Sequence, residues 1–169
     1  KLGFTHTHEH IVCDGRMTHR TEPPTRGGYM LLDDQARAVT ELKKFKELGG
    51  GSMVELTTAS WGRDVRVLRE ISKASGVNII ATTGFYTWPY IPKELDTRSI
   101  PDLANDLILE LTEGADGADT TAGILKSAIH LCFDSNVLVI IWSRLSIEPL
   151  YLIIASPALS SGSSPMERV

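Results

Sequence analysis

A chain of 169 residues with 17 Lys and Arg against 21 Asp and Glu carries a formal charge of −4, and 42% of it is hydrophobic. That length suits one domain with a sizeable core. Mild acidity argues against a nucleic-acid partner, whose phosphates select a basic face. Two cysteines, Cys13 and Cys132, make no disulfide framework, so a reducing, cytoplasmic setting is expected. The sequence begins at Lys1 with no charged-then-apolar signal segment, and a true start that is missing or processed is the expectation. The apolar run 137–155 is broken by Arg144, Glu148 and Pro149. A membrane span needs roughly 20 mostly apolar residues, so no membrane contact is expected.

In chain order, Gly3 to Thr7 reads as a short strand that runs into His8. Residues 14–30 are polar and hold Pro23-Pro24 and Gly27-Gly28, the marks of a loop. Asp33 and Asp34 begin a helix whose stripe is Ala38, Leu42 and Phe45, ending at Leu48. Gly49-Gly50-Gly51 stops it. Ser52 to Thr58 is a second strand. A second helix spans about 63–75, with Val65, Leu68 and Ile71 on one face, Asp64 in its first turn and Gly76 at its C-terminal cap. Arg63 reads as part of its start. Val77 to Thr83 is a third strand, rich in β-branched residues.

Gly84 to Thr97 then reads as a loop holding Phe85, Tyr86, Trp88 and Tyr90. Ser99-Ile100-Pro101-Asp102 starts a third helix, with a cap, a proline at the first position and an acid in the first turn. Its stripe is Leu103, Leu107 and Leu111. Ala122 to Ala128 reads as a fourth strand. The alternation β-α-β-α-β-α-β predicts an α/β fold with a parallel sheet and outer helices. A (β/α)8 barrel and an open doubly wound sheet both satisfy it. A complete barrel needs about 250 residues, so the chain would supply about half of one. From 129 onward the texture changes. Val137 to Trp142 is a candidate fifth strand, and Ser160 to Ser164 reads as a disordered tail.

Residues two apart in an extended chain point to the same side. His8 and His10, at the carboxyl end of the first strand, can therefore aim two imidazoles at one point, as a metal ion needs. His6 extends the alternation, so a three-histidine set is also open, although a core or supporting role suits its deeper position. In a (β/α)8 enzyme the strands' carboxyl ends form the active site. Glu55 lies inside a strand, where a buried carboxylate needs a partner. Cys13 reads as a small core residue, with a soft metal ligand beside the histidines as the alternative.

The stretch Gly3 to Ile11 resembles the first-strand signature of the phosphotriesterase family, in the amidohydrolase superfamily. Three further stretches are similar in the same order. They are Val54 to Thr58 with Gly62-Arg63-Asp64-Val65, then Gly76 to Gly84, then Ala122-Gly123-Ile124-Leu125-Lys126. The likeness covers residues 2–128. It implies a (β/α)8 TIM barrel, here an incomplete barrel of about four βα units over 1–128 followed by a divergent tail over 129–169. It implies a zinc-dependent hydrolase, cobalt or manganese being alternatives, that acts on phosphotriesters or lactones through a metal-bridged hydroxide. By position, His8 and His10 match ligands of the more buried metal. Lys126 matches the lysine that is carboxylated and bridges both metals, and Tyr86 matches a pocket-lining position. Family members are often dimers, so a homodimer is implied as well.

The family takes two further histidines and an aspartate from later strands. After Lys126 the sequence has only His130 and Asp134, neither in a matching motif. A fragment, a frameshifted end or a truncated gene each predict that pattern, and each predicts that the chain alone could be inactive. The alternative expectation is a non-catalytic remnant that binds a metal or a partner.

Overall fold

The computed structural model describes residues 2–16, 31–86, 90–127 and 153–154. Strands β1 (Phe4–Glu9), β4 (Gly50–Glu55), β5 (Asn78–Phe85), β6 (Ile124–Ser127) and β7 (Ile153–Ile154) form one parallel sheet in that order. Helices α1 (Gln35–Glu47), α2 (Val65–Ser75) and α3 (Ile100–Thr112) connect its first four strands. Among the described residues, strand order follows chain order with no reversal. A doubly wound sheet would reverse at a switch point, so the order selects the barrel-type winding. Two short strands, β2 (Cys13–Asp14) and β3 (Leu31–Leu32), pair antiparallel beside the main sheet.

Local chemistry sets the helix ends. The Asp34 side chain caps α1 by accepting from the Arg37 amide, and Asp64 caps α2 by accepting from the Arg66 and Val67 amides. Ser99 caps α3 through the Asp102 amide. Gly76 closes α2 with φ +71°, a conformation that glycine adopts without strain. Asp64 is therefore the cap rather than a first-turn acid. Ile100 takes the first position of α3 and Pro101 the second.

The sheet divides its side chains between two faces. Met53, Val77 and Ala81 pack outward with Leu42 of α1 and with Val65, Leu68 and Ile71 of α2. Each large apolar side chain buried there contributes roughly 1.5–3 kcal/mol. Val54, Leu56 and Ile124 form a second cluster with Ile80. Met53 and Val54 thus go to different cores, as the two-residue period of a strand requires. Leu103, Ala104 and Leu107 are the buried residues of α3.

Four sequence expectations change. Leu48 is 89% exposed, because it is the C-cap of α1 and lies past its last helical turn. Strand β6 begins at Ile124 rather than Ala122, and β5 runs on through Gly84 and Phe85. A fifth strand pairs with β6 at Ile153–Ile154, inside the stretch expected to be a tail. The candidate strand at 137–142 and the tail at 160–164 lie outside the described residues.

Arg63 departs furthest from expectation. It precedes the cap of α2, and its side chain is 0% exposed. Its guanidinium donates to both oxygens of Glu110 at 2.7 and 2.8 Å and to both of Asp116 at 2.7 and 3.1 Å. It also donates to the Thr82 carbonyl at 2.7 Å. Asp116 in turn accepts from the Val65 amide. One buried cation thereby ties α3 and the loop after it to β5 and the start of α2.

Candidate metal and hydrolytic site

The carboxyl ends of β1, β4, β5 and β6 bring together residues far apart in sequence. Pairing β1 with β4 is irregular, for His6 aligns with Met53 and Glu9 with Glu55. Between His6 and Glu9 three steps along β1 thus match two along β4, so β1 holds one extra residue there, while between Phe4 and Thr5 the extra residue is in β4. His6 and Glu9 would face opposite sides of a regular strand, yet His6 Nδ1 lies 3.5 Å from Glu9 Oε2. The extra residue breaks the three-histidine alternation. His6 sits half-exposed beside Glu9 rather than in a core.

His8 and His10 remain together, their rings 5.4 Å apart and edge to face. His8 is exposed, while His10 is half-buried under Trp61, ring centroids 4.4 Å apart. Desolvation, then the charges of Lys126 and His8, pull the His10 imidazole down to about 4. His8 is lowered too, by desolvation first and Lys126 second. Both rings are therefore neutral near pH 7, the form in which imidazole has a lone pair for a metal ion.

Lys126 reaches the same mouth from β6 and is only 8% exposed. Its Nζ donates to the Leu56 carbonyl at 2.7 Å and lies 4.4 Å from the centre of the Tyr86 ring. Burial draws its pKa down to about 8, against the opposing pull of Glu55. The closeness of β5 to β6 fixes its height. Gly84 aligns with Lys126 and has φ +112°, and a Cβ there would overlap the Lys126 carbonyl oxygen.

Aromatic side chains wall the site. Tyr86 and Trp61 stack at 4.6 Å with planes 5° apart, and Tyr90, 2% exposed, packs behind both. Burial, then Tyr90, raises the Tyr86 phenol above its ordinary value. Phe85 turns instead toward Ala104 and Leu107 of α3, and Trp88 lies outside the described residues. Among the described residues, the Trp61 indole N–H and the Tyr90 hydroxyl are buried without a hydrogen-bond partner. Such groups are rare in native interiors and mark places where an acceptor is wanted.

Sequence reasoning passed over Trp61 and Thr57. Trp61 directly precedes Gly62-Arg63-Asp64, and Thr57 is two residues past the end of β4. Their positions beside a strand's carboxyl end were the available signal. The expectation for Glu55 holds. It is fully buried, with Thr57 and the Ile11 amide as partners. Cys13 is a buried core residue beside Trp61 and Tyr90.

Two imidazoles that are neutral at neutral pH suit one side of a divalent-metal site. Lys126 would join them only after acquiring oxygen donors, since an ammonium has no lone pair. Among the described residues, no group of three or more His, Cys, Asp or Glu side chains could hold a metal ion. None of the described helices is long and apolar enough to cross a membrane.

The phosphotriesterase family model matches residues 1–134. An aryldialkylphosphatase of Saccharolobus solfataricus is 32% identical over 127 residues, covering 75% of this chain and 40% of that protein. An N-acetyltaurine hydrolase of Xenopus tropicalis is 36% identical, covering 74% of this chain and 43% of its own length. Among solved structures, a lactonase from Listeria monocytogenes superposes with a TM-score of 0.63 at 28% identity, covering 73% of this chain and 42% of that one. The chain thus spans about two fifths of the length of the relatives it matches.

Proposed function

This chain belongs to the phosphotriesterase family, and from that premise we propose that it serves a metal-dependent hydrolase of ester bonds, in phosphotriesters or lactones. The names of an aryldialkylphosphatase and a lactonase among its relatives support that substrate class. The observation that carries the proposal is the burial of Lys126 at the mouth beside His8 and His10.

A lysine held near 8 has a larger free-amine fraction at neutral pH than an exposed one. Free amine is what adds to carbon dioxide, forming a C–N bond and releasing a proton to give a carbamate. The carbamate would supply the oxygen donors that Lys126 lacks. His8, His10 and carboxylated Lys126 would then hold zinc, or cobalt or manganese. A bound divalent ion lowers the pKa of water to give a hydroxide nucleophile and polarises the oxygen of the bond under attack. Neutral His10 offers its lone pair without first losing a proton. Trp61 and Tyr86 give an apolar wall for an aryl or alkyl group.

A second reading, a non-catalytic remnant that binds a metal, draws support from the small donor set among the described residues. Purified chain supplied with zinc and bicarbonate separates the two. Bound metal with turnover of a lactone or a dialkyl aryl phosphate, both lost in Lys126→Ala, supports the hydrolase. Bound metal without turnover favours the remnant, and no bound metal contradicts both. An N-acyl amide belongs in the same assay, given the hydrolase from Xenopus tropicalis.

A further inference from the structure

Behind His10 runs a chain of hydrogen bonds that the proposed hydrolysis does not use. Glu55 and Thr57 are both 0% exposed. Glu55 Oε1 accepts from Thr57 Oγ1 at 2.5 Å and from the Ile11 amide at 3.2 Å, and Oε2 accepts from the Thr57 amide at 3.1 Å. Thr57 Oγ1 also lies 2.9 Å from His10 Nδ1. A hydroxyl has one proton to give. When that proton goes to the Glu55 carboxylate, the contact with His10 must be donated by the imidazole, as Nδ1–H.

A neutral imidazole has one N–H and one lone pair. We propose that Thr57, anchored by Glu55, is a positioning residue that takes the Nδ1 proton of His10 and leaves Nε2 as the nitrogen free to bind a metal ion. This rests on the metal-site reading above. The geometry has three supports. The two backbone amides on Glu55 come from Ile11, next to His10, and from Thr57 itself, so both ends of the relay are tied to one carboxylate. Trp61 packs on the His10 ring and restricts its rotation. Neither Glu55 nor Thr57 is exposed, so water does not compete for these bonds. Fixing a ligand's tautomer through its second nitrogen is a general means of raising metal affinity.

The test is nitrogen NMR of the histidine-labelled, metal-free chain at mildly alkaline pH, with the His10 signal identified by its loss in His10→Ala. Wild type should hold His10 as the Nδ1–H tautomer. Thr57→Val removes the acceptor while keeping the shape, and should shift His10 toward Nε2–H and weaken zinc binding about 10- to 100-fold. Thr57→Ser should restore both. An Nε2–H tautomer in wild type would overturn the proposal, and that spectrum decides even if Thr57→Val fails to fold. An unchanged tautomer and zinc affinity in folded Thr57→Val would also overturn it. Nδ1–H in wild type without zinc binding would sink the metal reading and leave the relay standing.

Discussion

The buried Arg63 on the helix side of the sheet and the polar groups at the strands' carboxyl ends are used in opposite ways. Toward the helices, Arg63 is saturated: two carboxylates and a carbonyl take up its donors, and the apolar cluster around Val65 and Ile71 adjoins it. At the strands' carboxyl ends, His10, Lys126 and Glu55 all have their ionisation pushed far from ordinary values, and Trp61 and Tyr90 lack partners among the described residues. Saturated burial holds a fold together. Unsatisfied burial costs stability and is kept where chemistry needs it.

That contrast can be broken, beginning with its largest effect. Arg63→Leu strands Glu110 and Asp116 without their cation, and should cost about 3–5 kcal/mol in urea unfolding. A loss below about 1 kcal/mol would remove Arg63 as the tie between α3 and α2.

Glu55→Gln tests the mouth. Burial raises the Glu55 pKa from 4.5 to about 7, against the lowering effect of its bonds with Thr57 and Ile11. The folded state therefore binds this proton more tightly than the unfolded state. Its stabilising contribution is full below 4.5 and is lost as pH rises to about 7. A shift of that size corresponds to roughly 3 kcal/mol. Wild type minus Glu55→Gln, measured by denaturation across that window, should fall by that order. His10 acts in the opposite sense over about 4 to 6.5, so only the difference between the two proteins isolates Glu55. A flat difference would mean that Glu55 is not held near 7.

Gly84→Ala joins the two regions. A side chain at φ +112° costs about 1–3 kcal/mol, and here it also meets the Lys126 carbonyl. Stability should fall and zinc affinity should fall with it. Loss of stability alone would show that Lys126 keeps its place without the tight β5–β6 approach. The smallest effect belongs to Asp64→Ala, which removes the α2 cap for about 0.5–2 kcal/mol and should leave zinc affinity unchanged.

How much of this was legible in the sequence follows the range of the interactions. Asp34, Ser99 and Gly76 act within a turn of their own helix, and Leu42, Leu68 and Leu107 recur at helical spacing, so helices and strand order could be read locally. His8, His10 and Lys126 could be read because each stands in a motif at a strand's end. The structure gathers them at one mouth. The carboxylate partners of Arg63 lie 47 and 53 residues away, and no local pattern announces them. The extra residue in β1 was equally hidden, since it exists only relative to the register of β4. Leu48 misled for a local reason, as an apolar residue in phase with its stripe that falls on the cap.

The central claim, that Lys126 is the basic amine around which a metal site is completed, has a direct measurement. The chain is equilibrated with zinc and carbon-13 bicarbonate, and its carbon NMR spectrum is compared with that of Lys126→Ala. A carbamate signal in wild type that vanishes in the variant is the predicted result. No carbamate signal in zinc-loaded wild type, or one that persists in Lys126→Ala, would contradict it.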